Sequence, residues 1–292
     1  MAAPVAVVTD TTTYLPPDLL AELDIATVSL YVHRAGSAER ESDIIDLPDY
    51  WRRLADTTTL PTTSQPSAGD FITVYEPLLA AGRDIVSIHL AGGISGTVDS
   101  AQMAAAELRE RHPERTIEVR DSRSTAGGMG LVVLAAGNAA RSGAPVAAVA
   151  GRADETIATT RIMFAVETLE YLRRGGRIGG AQAWLGSTLK IKPILSIRDT
   201  IEPLERVRTS ARAFERMVRF ARELHDDGAG AWAVQHIQAP ADAARLASAA
   251  REIFGCEPRF ISEIGPVIGT HAGPGLLGLA AIDARLLDEP PA

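Results

Sequence analysis

DIVSIHL-AGGISG-TVDSAQMAAAELRER, residues 84 to 111, decides the fold. The run from Asp84 to Leu90 is mostly apolar and suits a short buried strand. Glycines at 92, 93 and 96 break that run, and from Thr97 to about Arg111 the Ala, Met and Leu positions suit one buried helical face. Strand, glycine-rich turn and helix in this order form half of a βαβ unit, whose parallel sheet lies between helices.

Toward the N-terminus, Val5 to Val8 reads as another buried strand, and Pro16-Pro17 opens a helix through Glu22, because proline is tolerated where helix N–H groups are unpaired. Thr27 to Val32 reads as a strand, and Asp46 with Pro48 starts a helix through Ala55. A loop from Thr57 to Pro66 then leads to a helix beginning near Ser67, and Ile117 to Arg120 supplies a fourth strand. The Ala-rich stretch from Gly127 to Thr160 divides into two helices at Gly143-Ala144-Pro145. Strand signals follow at Ile162 to Val166, Lys190 to Ile197, Ile201 to Arg208, Ala231 to His236, Glu257 to Ile264 and Leu276 to Ile282. The short Arg198-Asp199-Thr200 connection implies a hairpin, hence a mixed sheet. The expected architecture is α/β in two lobes: a parallel-sheet domain over residues 1–155, a mixed-sheet domain over residues 156–292, and a ligand between them.

Composition narrows the function. A net charge of −8 argues against a broad nucleic-acid surface, which needs clustered cations. Cys256 is the only cysteine, which excludes an intrachain disulfide and a thiolate metal cluster, and the six histidines show no metal-ligand spacing. No metal and no cofactor are expected. The start of the chain carries no signal-peptide pattern and no apolar run is long enough for stable membrane insertion, so a cytoplasmic protein is expected. Lys190 and Lys192 are the only lysines, so an abundance of arginine has no functional weight by itself.

Four segments carry candidate chemistry. Thr62-Thr63-Ser64-Gln65-Pro66-Ser67 places hydroxyls just before a helix, where they either cap it or meet an anion near exposed N–H groups. Gly92-Gly93-Ile94-Ser95-Gly96-Thr97 lies at the carboxyl edge of the sheet, where glycines admit a ligand and Ser95, Thr97 and the helix N-terminus offer donors. It is neither a P-loop nor a dinucleotide fingerprint. His271, in a glycine-rich loop with Thr270, either bonds an anionic head group or holds a hydroxyl in place. Glu170 to Gly180, with Arg173, Arg174 and Arg177 and an extension at Arg206 and Arg208, reads as a Gly-capped helix end or as a basic docking face. Asp10 and Thr11, at the end of the first strand, occupy a crevice position or cap the helix that follows.

Together these segments resemble the DegV family of bacterial fatty-acid-binding proteins, which includes the fatty-acid-binding subunit of fatty acid kinase. Val8-Thr9-Asp10-Thr11, Thr63-Ser64-Gln65-Pro66-Ser67, Ser95-Gly96-Thr97, Gly175-Gly176-Arg177-Ile178, Lys192-Pro193-Ile194-Leu195, Arg206-Val207-Arg208-Thr209 and His271-Ala272-Gly273-Pro274-Gly275 match its motifs in order over essentially the whole chain. The resemblance implies an acyl chain enclosed between two lobes. Its carboxylate is met by Thr63 and Ser95, with Ser64, Gly96, Thr97, His271, Thr270, Asp10 and Thr11 around them. It also implies no catalytic machinery in this chain: a separate ATP-dependent fatty acid kinase phosphorylates the bound acid, docking on Arg173, Arg174, Arg177, Arg206 and Arg208, and the acyl phosphate enters phospholipid synthesis. A monomer is expected. Two departures stand out, Gly92-Gly93-Ile94 before Ser95, and Ser210-Ala211-Arg212 where lysines are common.

Tail burial contributes roughly 0.8 kcal/mol per methylene, so the head can be met by neutral hydroxyls, without arginine. The competing reading is a small-molecule hydrolase or transferase that uses Ser95 and His271.

Overall fold

The computed structural model describes residues 4–55, 60–185 and 191–288. Strand β1 (Val5–Asp10) leads through α1 (Pro17–Glu22) to β2 (Ala26–Val28) and a hairpin of β3 (Tyr31–Arg34) and β4 (Ser37–Arg40). Then come α2 (Leu47–Ala55), β5 (Thr62–Ser64), α3 (Ala68–Ala80), β6 (Asp84–His89), α4 (Thr97–Arg111) and β7 (Ile117–Asp121). Helices α5 (Ala126–Arg141) and α6 (Val146–Thr159) precede β8 (Arg161–Ala165), α7 (Glu170–Arg174), β9 (Lys192–Arg198) and β10 (Thr200–Val207). The chain continues through α8 (Ser210–Asp226), β11 (Ala231–His236), α9 (Pro240–Phe254), β12 (Phe260–Glu263), α10 (Pro266–Ala272) and β13 (Leu277–Ile282).

The four strands β2-β1-β6-β7 form a parallel sheet in that order. Alternate side chains of β1 face opposite ways, as the period of a strand dictates. Ala6 and Val8 pack with Phe71 and Tyr75 of α3 and Ala104 and Leu108 of α4, while Val5 and Val7 join the core that includes α5 and α6. The second sheet runs β10-β9-β8-β13-β11-β12 and is mixed: β11 and β12 are parallel and the other pairs antiparallel. Met163, Trp232, Val234 and Leu279 cover one face beneath α8 and α9. Phe164, Leu195, Ala233 and Ala280 point the other way into the larger core.

Helix α5 joins the two sheets. Nearly every one of its 16 residues is buried, and it touches β1 and β6 on one side and β11 and β13 on the other. A helix enclosed on all sides must be apolar all round. Its AGGMGLVVLAAGNAAR sequence meets that demand with small residues that let both sheets come close. Gly130, for example, faces Phe260, whose ring would lie 2.9 Å from an added Cβ. Among the described residues no helix is long and apolar enough to cross a membrane.

Three local expectations need correction. The strand expected from Thr27 to Val32 is divided, because the backbone of Leu30 is taken by other groups. Its N–H donates to Thr11 Oγ1 at 3.2 Å and its carbonyl accepts from Glu41 N at 2.8 Å. β2 therefore ends at Val28, and β3 turns into a separate antiparallel sheet, β4-β3-β5. The loop expected from Thr57 to Pro66 contains β5, which supplies the edge partner of β3. His271 stands in the last turn of α10, which Pro266 opens and Gly273 ends at φ 78°. Residues 57–59 of the expected loop, Lys190 of the expected strand, and residues 289–292 lie outside the described residues.

Candidate functional site

A cavity opens between the carboxyl edge of the parallel sheet and the inner face of the mixed sheet. The empty space along it, open solvent at its mouth included, is about 940 Å³. Its walls are predominantly apolar: Ile162 and Phe164 of β8, Ile197 of β9 and Ile201 of β10 face Leu90 at the end of β6 and Val267 of α10. Such a surface suits a hydrocarbon that fills it, and a few polar groups then fix orientation.

Those polar groups gather where the lining is half-buried. Thr63 and Ser64 of β5, Ser95, Arg177 and His271 all line the cavity. Thr63 Oγ1 lies 2.7 Å from His271 Nε2, joining β5 to α10 across a separation of 208 residues. Burial, reinforced by the Arg177 guanidinium, pushes the His271 imidazole down to about 4, so the ring is neutral at pH 7. Two tautomers fit the Thr63 contact. With the proton on Nε2, His271 donates to Thr63 Oγ1 and leaves the threonine O–H free for an anion. Gly175 seats the ring: an added Cβ would stand 2.2 Å from His271 Nδ1.

Arg177 donates through Nε to Ile94 O at 3.3 Å and through Nη1 to Gly175 O at 2.7 Å. Among the described residues no carboxylate pairs with it. A guanidinium that lines an apolar cavity with only carbonyl partners keeps an uncompensated positive charge there, which an anion would neutralise.

The loop that carries Ser95 is held from both sheets. Gly92 N donates to Asp121 Oδ2 at 3.1 Å, and Gly93 N donates to Asp199 Oδ1 at 2.9 Å. Asp199 is the turn residue of the β9–β10 hairpin, at φ 79°, and its carbonyl would lie 2.8 Å from a Cβ added at Gly93. A side chain at either glycine would push the loop away from its anchors. Ser95 Oγ lies 2.9 Å from Thr97 Oγ1, so the fully buried Thr97 orients the Ser95 hydroxyl and does not itself line the cavity.

Several expected ligand residues do other work. Asp10 is fully buried: Oδ1 accepts from Thr12 N and the Thr12 hydroxyl, while Oδ2 accepts from Leu90 N and meets His89 Nδ1 at 3.0 Å. Thr11 accepts from Leu30 N. Gly96 packs against the Gln65 amide, 2.8 Å from where its Cβ would be. Thr270 bonds Tyr50 Oη at 2.6 Å and donates to Pro266 O. None of these four lines the cavity. Of the arginines expected on a docking face, Arg173 is exposed and paired with Glu170, Arg206 stacks over Trp184 at 5.3 Å, and Arg174 and Arg208 are exposed. Arg177 departs from that group and lines the cavity.

Ser95 and His271 bond different partners, Thr97 and Thr63, and no hydrogen bond joins them, so a nucleophile–base pair is not assembled there. Ser87, His89 and Asp10 are linked in the order of a hydrolytic triad, yet all three are fully buried and none lines the cavity. Sequence reasoning missed Asp121 and Asp199 as loop anchors, and Gln65, Thr125 and Gln235 as lining residues.

The model of the DegV family, described as uncharacterised protein, matches residues 4–284. A DegV domain-containing protein of Streptomyces coelicolor is 38% identical over 282 residues, covering 96% of this chain and 98% of the relative. Among solved structures, a fatty-acid-binding DegV family protein from Thermus thermophilus superposes with a TM-score of 0.85 at 33% identity, covering 96% of this chain and 99% of its own. The fatty-acid-binding DegV of Bacillus subtilis gives 0.85 at 32% identity, covering 97% and 100%.

Proposed function

The chain belongs to the DegV family, and we propose that it binds one long-chain fatty acid in the interlobe cavity and presents the carboxylate to a separate ATP-dependent kinase. One observation carries this reading: an apolar cavity whose half-buried polar end holds Arg177 without a carboxylate partner, beside the hydroxyls of Thr63 and Ser95. The tail lies along Phe164, Ile197, Ile201 and Val267. The carboxylate accepts from Arg177, Ser95 and the Thr63 hydroxyl that neutral His271 holds. The fatty-acid binding of the Thermus and Bacillus relatives supports the ligand class.

At a half-buried mouth the carboxylate stays within reach of a second protein. The carboxylate oxygen attacks the γ-phosphorus of ATP held by the kinase, the P–O bond to the β-phosphate breaks and ADP leaves, and the acyl phosphate that forms goes to phospholipid synthesis. Arg173, Arg174, Arg206 and Arg208, all exposed, form the docking face in this reading. The two lobes are residues 1–155 and 156–292, and the protein acts as a cytoplasmic monomer.

Titration of purified protein with stearic acid, followed by acyl-phosphate formation with a fatty acid kinase and ATP, tests both halves. Thr63→Ala and Ser95→Ala each remove one head-group hydrogen bond and weaken binding about fivefold to tenfold. Charge reversal at Arg208 lowers acyl-phosphate formation and leaves stearate affinity in place. Unchanged affinity in the Thr63→Ala/Ser95→Ala double variant would reject the head-group assignment, and kinase coupling indifferent to Arg208 would reject the docking face.

A further inference from the structure

Three buried polar atoms of cavity-lining residues have no hydrogen-bond partner among the described residues: His271 Nδ1, which belongs to the head cluster, and Thr125 Oγ1 and Gln235 Oε1. Thr125 is 9% exposed and Gln235 3% exposed, and both line the cavity. They belong to its interior, in contrast to the half-buried head cluster of Thr63, Ser95, Arg177 and His271.

The orientation of the Gln235 amide is fixed by its nitrogen. Nε2 donates to Thr13 O at 3.1 Å and to Ser262 Oγ at 2.8 Å, so Oε1 points the other way. It faces Gly127, where an added Cβ would lie 3.3 Å from it. Thr125 is the N-cap residue of α5, yet its hydroxyl makes no capping bond. Thr125, Ala126 and Gly127 all line the cavity, so the positive end of a buried 16-residue helix opens on the same wall.

A plain hydrocarbon against this wall leaves both groups unsatisfied. A single group that satisfies both donates to Gln235 Oε1 and shares a hydrogen bond with the Thr125 hydroxyl near a helix N-terminus. A hydroxyl does both. A keto oxygen only accepts and leaves Gln235 bare, and a carboxylate would set its charge against the Gln235 carbonyl.

We propose that the cavity is built for an acyl chain bearing a hydroxyl group, bonded by Thr125 and Gln235. The inference rests on the fatty-acid reading above and adds the substrate class. An ordered water is the other source of the same hydrogen bonds, and the experiment separates the two.

The wild-type protein is titrated with stearic acid and with the positional isomers of monohydroxystearic acid, the affinity of each isomer being read against that of stearic acid. The expected result is that at least one isomer binds about tenfold more tightly than stearic acid. Thr125→Val, which keeps the shape and removes the hydroxyl, then brings that ratio close to one. Weaker binding of every hydroxylated isomer overturns the proposal and assigns the two groups to water. A ratio that persists in folded Thr125→Val removes Thr125 from the site. If neither stearic acid nor any isomer binds, the fatty-acid reading fails and this one falls with it. The wild-type ranking decides the question even where the variant does not fold.

Discussion

Replacing Arg177 with Met is expected to weaken stearate binding by about tenfold to a hundredfold, the size of a lost charge-assisted hydrogen bond. Methionine retains an apolar stem of similar reach and removes the charge and every donor. The structural risk is specific, because Arg177 also donates to Ile94 O and so supports the backbone next to Ser95. Methyl stearate separates the two roles. It has the same tail and no charge, so its affinity should be nearly indifferent to Arg177→Met if the guanidinium acts on the carboxylate. Equal losses for acid and ester, measured by calorimetric titration, would make Arg177 a prop for the Ile94–Ser95 loop and not a head-group ligand.

The second large effect concerns Glu41, which lies outside the cavity and holds one of its walls. Glu41 is buried, and its Oε1 accepts from Tyr14 Oη at 2.9 Å and from Val267 N at 2.7 Å. Tyr14 Oη in turn accepts from Ile268 N at 3.1 Å. Both amides belong to α10, whose Val267, Ile268 and His271 line the cavity. Oε2 has no partner. Burial pushes the carboxyl up to about 7, against the hydrogen bonds it accepts from Val267 and Tyr14.

The folded protein therefore holds a proton on Glu41 more tightly than the unfolded chain, whose value is near 4.5. Stability falls as pH rises between those values and is level above about 7, by on the order of 3 kcal/mol. His271 acts in the opposite sense. Its folded value, about 4, lies below the ordinary 6.5, so its contribution is present above 6.5 and is lost as pH falls toward 4. The two slopes oppose each other across mildly acidic pH. Glu41→Gln removes one of them, and denaturant unfolding between pH 4.5 and 8 should show the variant gaining on wild type by about 3 kcal/mol over that range. Parallel pH profiles for the two proteins would show that Glu41 ionises freely in the folded state.

What could be read from the sequence is what local periodicity and turn chemistry determine. The run from Asp84 to Arg111 identified a strand, a glycine turn and a helix because each has its own spacing, and the parallel sheet followed. The Arg198-Asp199-Thr200 hairpin was legible for the same reason. The division of Thr27 to Val32 was not, since Thr11 and Glu41, distant in sequence, take the backbone of Leu30. The hydroxyl segments were found because Thr63 and Ser95 sit beside helix starts at a sheet edge. The place of Arg177 in the cavity lining was not legible, because its Gly-Gly-Arg setting fits an exposed helix end equally well and its partner Ile94 O is distant in sequence. Asp10 looked like a ligand residue because the end of a parallel strand usually faces the crevice, whereas here His89 and Leu90 occupy both sides of one carboxylate oxygen. Thr125 and Gln235 gave no sequence signal at all, as an unpartnered atom exists only once its neighbours are placed.

Native mass spectrometry of the purified protein, before and after incubation with stearic acid, tests whether the cavity takes up a long-chain fatty acid. The expected result is one acid per chain, co-purified or taken up, and loss of that complex when Arg177→Met and Ser95→Ala are combined. A protein that carries no acyl ligand and takes up none at saturating stearic acid would contradict it.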